Sequence, residues 1–131
     1  KMSNKSKGSN AERELLRKFT EAGCRAARVA GSGVAEESPC DLIAGKVGKK
    51  TKYAVECKTT RKNIQYITKS QIDDFVVFSE IIGLKPVIAL RFLREGWLFI
   101  NPQNLRDTGT NWAISLEKAK KKGKKFSQFF N

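Results

Sequence analysis

Histidine is absent from the 131 residues. Its absence excludes Ser-His-Asp hydrolysis, histidine-dependent nuclease chemistry and the usual zinc enzymes. Cysteine is scarce: Cys24, Cys40 and Cys57 are odd in number and include no CxxC pair. Neither a disulfide framework nor structural zinc is expected from such a set. The three read as small apolar residues in a reducing cell, and the expected location is cytoplasmic. No apolar run approaches the ~18 residues that a membrane span needs, and the mean hydropathy is −0.46. Residues 1–8 are polar and basic, without the apolar stretch of a secretory leader. Lys1, ahead of Met2, reads as an addition before a natural start and is set aside. Acidic residues are few, 13 against 26 Lys and Arg, for a net charge of +13. A folded domain this basic usually meets a polyanion. Nucleic acid comes ahead of an anionic membrane surface or an acidic protein. If such a chain cuts a polyanion without histidine, carboxylates holding a hard cation must carry the chemistry.

What is present suffices for one core: 40% of residues are hydrophobic. The length predicts a flexible basic arm at 1–8 and one domain over 9–131. A helix is predicted over 9–22, with Ser9 as N-cap and Gly23 just past its end. Residues 24–30 read as a strand and 31–39 as a Gly/Ser-rich loop. Two strands, 41–45 and 52–58, are joined by a turn at 47–51. Residues 59–67 read as a polar loop. Thr68 and Gln71 have capping-box spacing, so a second helix runs to about Ile82, where Gly83 stops it. A hairpin joins 86–92 to 97–100 about Arg94–Gly96. A short helix fits 115–122, and no internal repeat is visible. This order of elements predicts an α/β fold, a mixed central sheet flanked by helices.

Side chains of a strand alternate between its faces. In 52–58, Tyr53, Val55 and Cys57 take one face and enter the core, while Ala54, Glu56 and Lys58 share the other. A cross-face ion pair would account for Glu56 and Lys58 alone. Asp41 changes the reading. It follows Pro39 at the head of the strand that returns antiparallel, so it comes beside Glu56 and Lys58; taken alone, it fits a turn-forming Asp equally well. Two carboxylates and a lysine converging in space suit metal-assisted phosphodiester hydrolysis. The carboxylates hold the ion, and the lysine orients or deprotonates water or stabilises charge on the phosphate. Glu12 offers a third carboxylate. At ~100° per residue it falls inside the apolar stripe of Ala11, Leu15, Leu16, Phe19 and Ala22, while Arg13 and Glu14 point away. A carboxylate there needs a partner, and closing a capping box with Ser9 is the alternative to a metal.

These residues resemble the archaeal Holliday junction resolvase family, whose fold is restriction-endonuclease-like. The matching stretches are AERELL at 11–16, RVAGSG at 28–33, DLIAG at 41–45 and AVECK at 54–58. FVVFSE at 75–80 and the strands PVIAL and GWLFI are also similar. The resemblance covers about residues 8–100. It implies that Glu12, Asp41 and Glu56 bind the metal, Mg²⁺ or Mn²⁺, and that Lys58 is the catalytic lysine. Ser32 joins them as a catalytic position, and Arg13 and Arg28 lie near the scissile strand. It further implies a homodimer that nicks opposite strands of a branched, four-way DNA junction.

The second helix points to a dimer independently. Ile72, Phe75, Val76 and Ile82 form one apolar stripe, and Val77, Phe78 and Ile81 lie roughly opposite. A helix apolar on two faces is buried on both. The interface is assigned to Phe75, Phe78 and Ile81; burial under Trp112 or residues 126–130 is the alternative. Lys118–Lys125 holds six lysines in eight residues. With Lys5 and Lys7 of the arm and Lys62 of the polar loop, this run suits phosphate contact. Two other readings stay open: a different nuclease of the same fold class, and a non-catalytic DNA-binding module. The three carboxylates place negative charge where such a module would want positive.

Overall fold

The computed structural model describes residues 4–30 and 38–129, with side chains from Asn10 onward. The first helix, α1, spans Asn4–Glu21. Ala11, Leu15 and Phe19, spaced four apart, are its buried stripe. Gly23, at a φ of 83°, takes the left-handed turn that ends it. The helix starts five residues earlier than expected. Residues 4–8, assigned to an arm, are helical, and Ser9 lies inside the helix rather than capping it. Adding a turn to an existing helix costs far less than nucleating one, so polar residues ahead of AERELL can follow its lead. Ala22, expected in the stripe, is exposed past the helix end.

Five strands then build most of the central sheet: β1 (Cys24–Arg28), β2 (Leu42–Lys46), β3 (Tyr53–Thr60), β5 (Lys85–Phe92) and β6 (Trp97–Ile100). β9 (Lys124–Lys125) pairs at the far edge, giving the order β1-β2-β3-β5-β6-β9 among the described residues. β3 and β5 are parallel, in register from Tyr53 opposite Lys85 to Thr60 opposite Phe92, and the other pairs are antiparallel. A parallel pair needs helices on both faces, and the sequence supplies them. α1 packs with Leu42, Val55, Val87 and Phe99 on one face. The second helix, α2 (Lys69–Ile82), packs Ile72 and Phe75 with Ala54, Ile88 and Leu90 on the other. Thr68 caps α2 through the Gln71 N–H, and Gly83 closes it with a φ of 82°. The fold class therefore matches the expectation.

Residues 59–67 are not a loop. β3 continues to Thr60, and β4 (Ile64–Thr68) joins β8 (Asn111–Ser115) and β7 (Arg106–Asp107) in a small second sheet. Its pairing partner lies some fifty residues downstream, out of reach of local pattern. α3 (Leu116–Lys122) follows, capped by Ser115, and α4 (Phe126–Phe129) ends the described chain. The lysine-rich tail is thus packed. Phe126 sits 5.4 Å from Phe19, and Phe129 stacks on Phe99 at 4.2 Å between centroids. These rings lie on the α1 face, so they do not cover the outer face of α2.

Phe75 is fully buried against the sheet and cannot belong to an interface. At ~100° per residue it shares the inward face with Ile72 and Ser79. Phe78 is half-buried on the same core, and Ile82, grouped with Ile72 and Phe75 from sequence, is exposed. The outward apolar residues are Val77 (53% exposed), Ile81 (77%) and Ile82 (56%). Among the described residues, no helix is long and apolar enough to cross a membrane.

Gly123 shows how tightly the tail is seated. Its N–H donates to the Ala119 carbonyl at 2.8 Å. A Cβ here would lie 2.5 Å from that oxygen and 3.0 Å from Ile100 Cγ2. Gly123→Ala should cost about 1–3 kcal/mol through forced backbone movement. Thermal unfolding should show a lowered midpoint; an unchanged one would mean that the tail is not packed this way.

Candidate active site

The site lies where β2 begins and β3 approaches its end. Asp41 is held by three bonds. Its N–H donates to the Val55 carbonyl (3.0 Å) and its carbonyl accepts from the Val29 N–H (3.0 Å). Its Oδ2 accepts from the Cys57 N–H at 2.7 Å. Glu56, the next residue of β3, is 4% exposed. Lys58, two further along, points to the same face, with its Nζ 3.8 Å from Glu56 Oε2. The strand alternation and the returning hairpin thus bring Asp41, Glu56 and Lys58 together, as the sequence implied. They line a cleft of about 190 Å³ with Ala11, Glu12, Cys57, Thr59 and Gln71.

Burial first, and then the charge of Asp41, push the Glu56 carboxyl well above its usual range. Burial raises Asp41 too, opposed by the Cys57 N–H and Lys58. Each carboxyl disfavours the charged form of the other. Two acids crowded in this way form a site short of positive charge. An all-oxygen, acidic donor pair of this kind fits a hard divalent cation.

Glu12 does line the cleft, and burial followed by the Asp41 charge raises its pKa. Its Oε1, however, pairs with Arg28 Nε at 3.4 Å. Among the described residues no three Asp, Glu, Cys or His side chains are arranged to hold one ion. Asp41 and Glu56 thus stand together on the strands, and Glu12 lines the same cleft while facing a guanidinium. A guanidinium satisfies a partly buried carboxylate more readily than two crowded acids could.

Among the expected DNA contacts, Arg13 is exposed on α1, its Nη1 donating to Asn10 Oδ1 at 3.4 Å. Lys62 is exposed in the turn between β3 and β4. Lys5 and Lys7 fall in the opening turns of α1, ahead of the described side chains, and Ser32 lies outside the described residues. Cys57 is half-buried against the α1 core, as expected.

Two site features escaped the sequence. Gln71 does not close a capping box. Its Nε2 donates to Glu56 Oε2 (2.9 Å) and its Oε1 accepts from Lys58 Nζ (3.2 Å). Gln71 sits in the first turn of a helix that packs on β3, the strand carrying Glu56 and Lys58. Glu14, expected to point away, binds Arg91 of β5 and accepts from Trp97 Nε1 at 3.4 Å. Arg91 in turn stands 5.1 Å over the Trp97 ring. No local signal foretold this link, because its partners lie 77 and 83 residues downstream.

Comparisons with known proteins identify the family and the fold. Residues 3–131 match the family model described as archaeal Holliday junction resolvase. The crossover junction endodeoxyribonuclease Hjc of Methanocaldococcus jannaschii is 45% identical, over 82% of this chain and 75% of its own. The Archaeoglobus fulgidus protein of the same name is 36% identical over 96% of each. The crystal structure of Archaeoglobus fulgidus Hjc, described as a Holliday junction resolvase from an archaeal hyperthermophile, superposes with a TM-score of 0.81 at 31% identity. That match covers 92% of this chain and 98% of the other. The fold is the restriction-endonuclease-like one, and this chain belongs to the archaeal Holliday junction resolvase family.

Proposed function

We propose that this chain is a structure-selective endonuclease that resolves four-way DNA junctions in recombination and repair. It works as a homodimer and makes paired, metal-dependent nicks in opposite strands. The observation that carries the reading is the convergence of Asp41, Glu56 and Lys58 in one cleft of a chain with a net charge of +13. An intracellular, nucleoid-associated location belongs to the same reading.

Mg²⁺, or Mn²⁺ in its place, would be held by Asp41 and Glu56, with Glu12 joining by giving up Arg28. Once bound, the ion would polarise the phosphodiester and make a nearby water more acidic. The protein's own groups do the rest. Lys58 presents an ammonium to the cleft, where it steadies the negative charge that develops on phosphate. Arg28 released from Glu12, together with Arg13 and Lys62, offers cations to the backbone around the scissile bond. Ser32 completes the proposed catalytic set. The lysines of α1 and of residues 118–125 add affinity without reading sequence.

The outer face of α2 fits a second copy of the chain. Val77, Ile81 and Ile82 present apolar surface to solvent on one side of a helix, and such surface marks an interaction site when contiguous. A twofold dimer would set two active sites at a fixed angle, matching the near-twofold symmetry of a junction.

The deciding experiment compares Mg²⁺-dependent nicking of a synthetic four-way junction with that of linear duplex of the same sequence. Preferential, paired cutting of the junction is expected. Equal cutting of both would identify another nuclease of this fold, and binding without cutting a DNA-binding module. Lys58→Ala and Asp41→Asn should each slow cleavage at least about a hundredfold while junction affinity in EDTA stays within a fewfold. Near-normal rates in both would remove them from the site.

Ile81→Arg should convert a dimer to a monomer in light scattering at micromolar concentration. A folded variant that stays dimeric would place the interface elsewhere. Junction affinity should fall steeply with salt, each neutralised phosphate contributing ~0.9 to the slope of log affinity against log salt. A flat dependence would mean that the lysine-rich segments do not touch DNA.

A further inference from the structure

The amide of Gln71 stands between the two groups that the proposed mechanism needs at a set spacing. Its nitrogen donates to Glu56 Oε2 at 2.9 Å and its oxygen accepts from Lys58 Nζ at 3.2 Å. Only one orientation of the amide satisfies both, since an ammonium cannot accept and a carboxylate oxygen is the natural acceptor. Direct contact between Glu56 and Lys58 is long, 3.8 Å, so the amide carries the connection.

The backbone of Gln71 is fixed as well. Its N–H donates to Thr68 Oγ1, which caps α2. Ile72, the next residue, is buried against the sheet. A capped helix start docked on β3 thus aims the side chain into the cleft.

We infer that Gln71 is a positioning residue for the cleavage reaction, its amide holding Glu56 and Lys58 in the relative placement that ion binding and phosphate stabilisation require. The inference rests on the proposed nuclease reading and deepens it. Two consequences follow from the bond pattern. With Oε2 engaged by the amide, the other oxygen of Glu56 is the one left for an ion. With one of its three N–H groups on Gln71, Lys58 is kept from collapsing onto Glu56 as a tight ion pair, and its remaining donors face the cleft. Partners that orient a metal-binding carboxylate typically change metal affinity or activity ten- to a hundredfold when removed.

The test uses the full chain and two variants. Gln71→Met keeps the length and removes both bonds. Gln71→Asn stays polar but is one methylene too short to make both. Three readings are taken: Mn²⁺ binding by calorimetry without DNA, junction binding in EDTA, and single-turnover junction cleavage at saturating metal. Both variants should bind Mn²⁺ about tenfold or more weakly and cleave about ten- to a hundredfold more slowly, with junction affinity in EDTA within twofold of the parent. In the parent, the Gln71 side-chain amide resonance, identified by its loss from the Gln71→Met spectrum, should shift during Mg²⁺ titration. A residue that only fills space would leave that resonance still. Wild-type Mn²⁺ affinity and cleavage in a folded Gln71→Asn, or a Gln71 resonance indifferent to Mg²⁺, overturns the inference. Should the parent fail to prefer junctions, the functional reading fails, while calorimetry and the resonance still judge Gln71.

Discussion

Asp41 ties three strands together at one point. Its N–H holds β3, its carbonyl holds the end of β1, and its carboxylate takes the Cys57 N–H of β3. A backbone N–H in the sheet would ordinarily be served by a neighbouring carbonyl. Here the Asp41 side chain serves the Cys57 N–H, while its own carbonyl accepts from Val29. The consequence is chemical as well as structural. An acid that completes the hydrogen bonding of the sheet cannot move away from Glu56, so the fold itself forces two carboxyl groups into a buried space. Their raised pKa values express that constraint. A hydrophobic or amide residue in place of either would relieve the repulsion, and with it the site's demand for a cation.

The helices convert this local pressure into a shaped cleft. α1 covers one face of the sheet through Ala11, Leu15 and Phe19. The same helix carries Glu12 toward Arg28 and Glu14 toward Arg91. Positions two apart on a helix point in very different directions, so one short segment serves the rim of the cleft and the β5–β6 edge at once. α2 covers the opposite face and delivers Gln71 at its first turn. The site is therefore built from both layers and from the sheet between them.

Much of this was legible in the sequence, for reasons of periodicity. The period of two in YAVECK separates Glu56 and Lys58 from the α1 core face, and the turn before it returns Asp41 to their side. α2 announced both its ends, through Thr68 and Gly83. What stayed hidden depends on distance along the chain or on competing explanations. β4 reads as a polar loop because its partner, β8, begins at Asn111. Gln71 was masked by a capping-box spacing that explained it too well: Thr68 does cap the helix, but the glutamine's side chain goes elsewhere. Phe75 looked like interface because a helix apolar on two faces does not say which face meets its own sheet. For Glu12 a helical wheel shows direction, but not that Arg28 pairs with it at the cleft.

The charge distribution poses the remaining physical problem, since a chain with a net charge of +13 sets Glu12, Asp41 and Glu56 along the cleft where a phosphate would arrive. The resolution lies in distance. The excess cations are spread over α1, the β3–β4 turn and the α3–β9 tail, which the aromatic anchor of Phe126 and Phe129 holds to the body. Their field acts over roughly a Debye length, about 8–10 Å at ordinary salt, and draws in the backbone as a whole. The acid pair acts only at contact range, behind low-dielectric walls. Attraction at long range and repulsion at short range would together keep DNA on the surface yet bar its phosphates from the cleft, until a cation joins Asp41 and Glu56 and reverses the sign there. On this argument binding and cutting are separable in the same molecule. Affinity would belong to dispersed lysines and arginines, each tolerant of loss, and cleavage to a few groups in the cleft that the sheet and the Gln71 amide join.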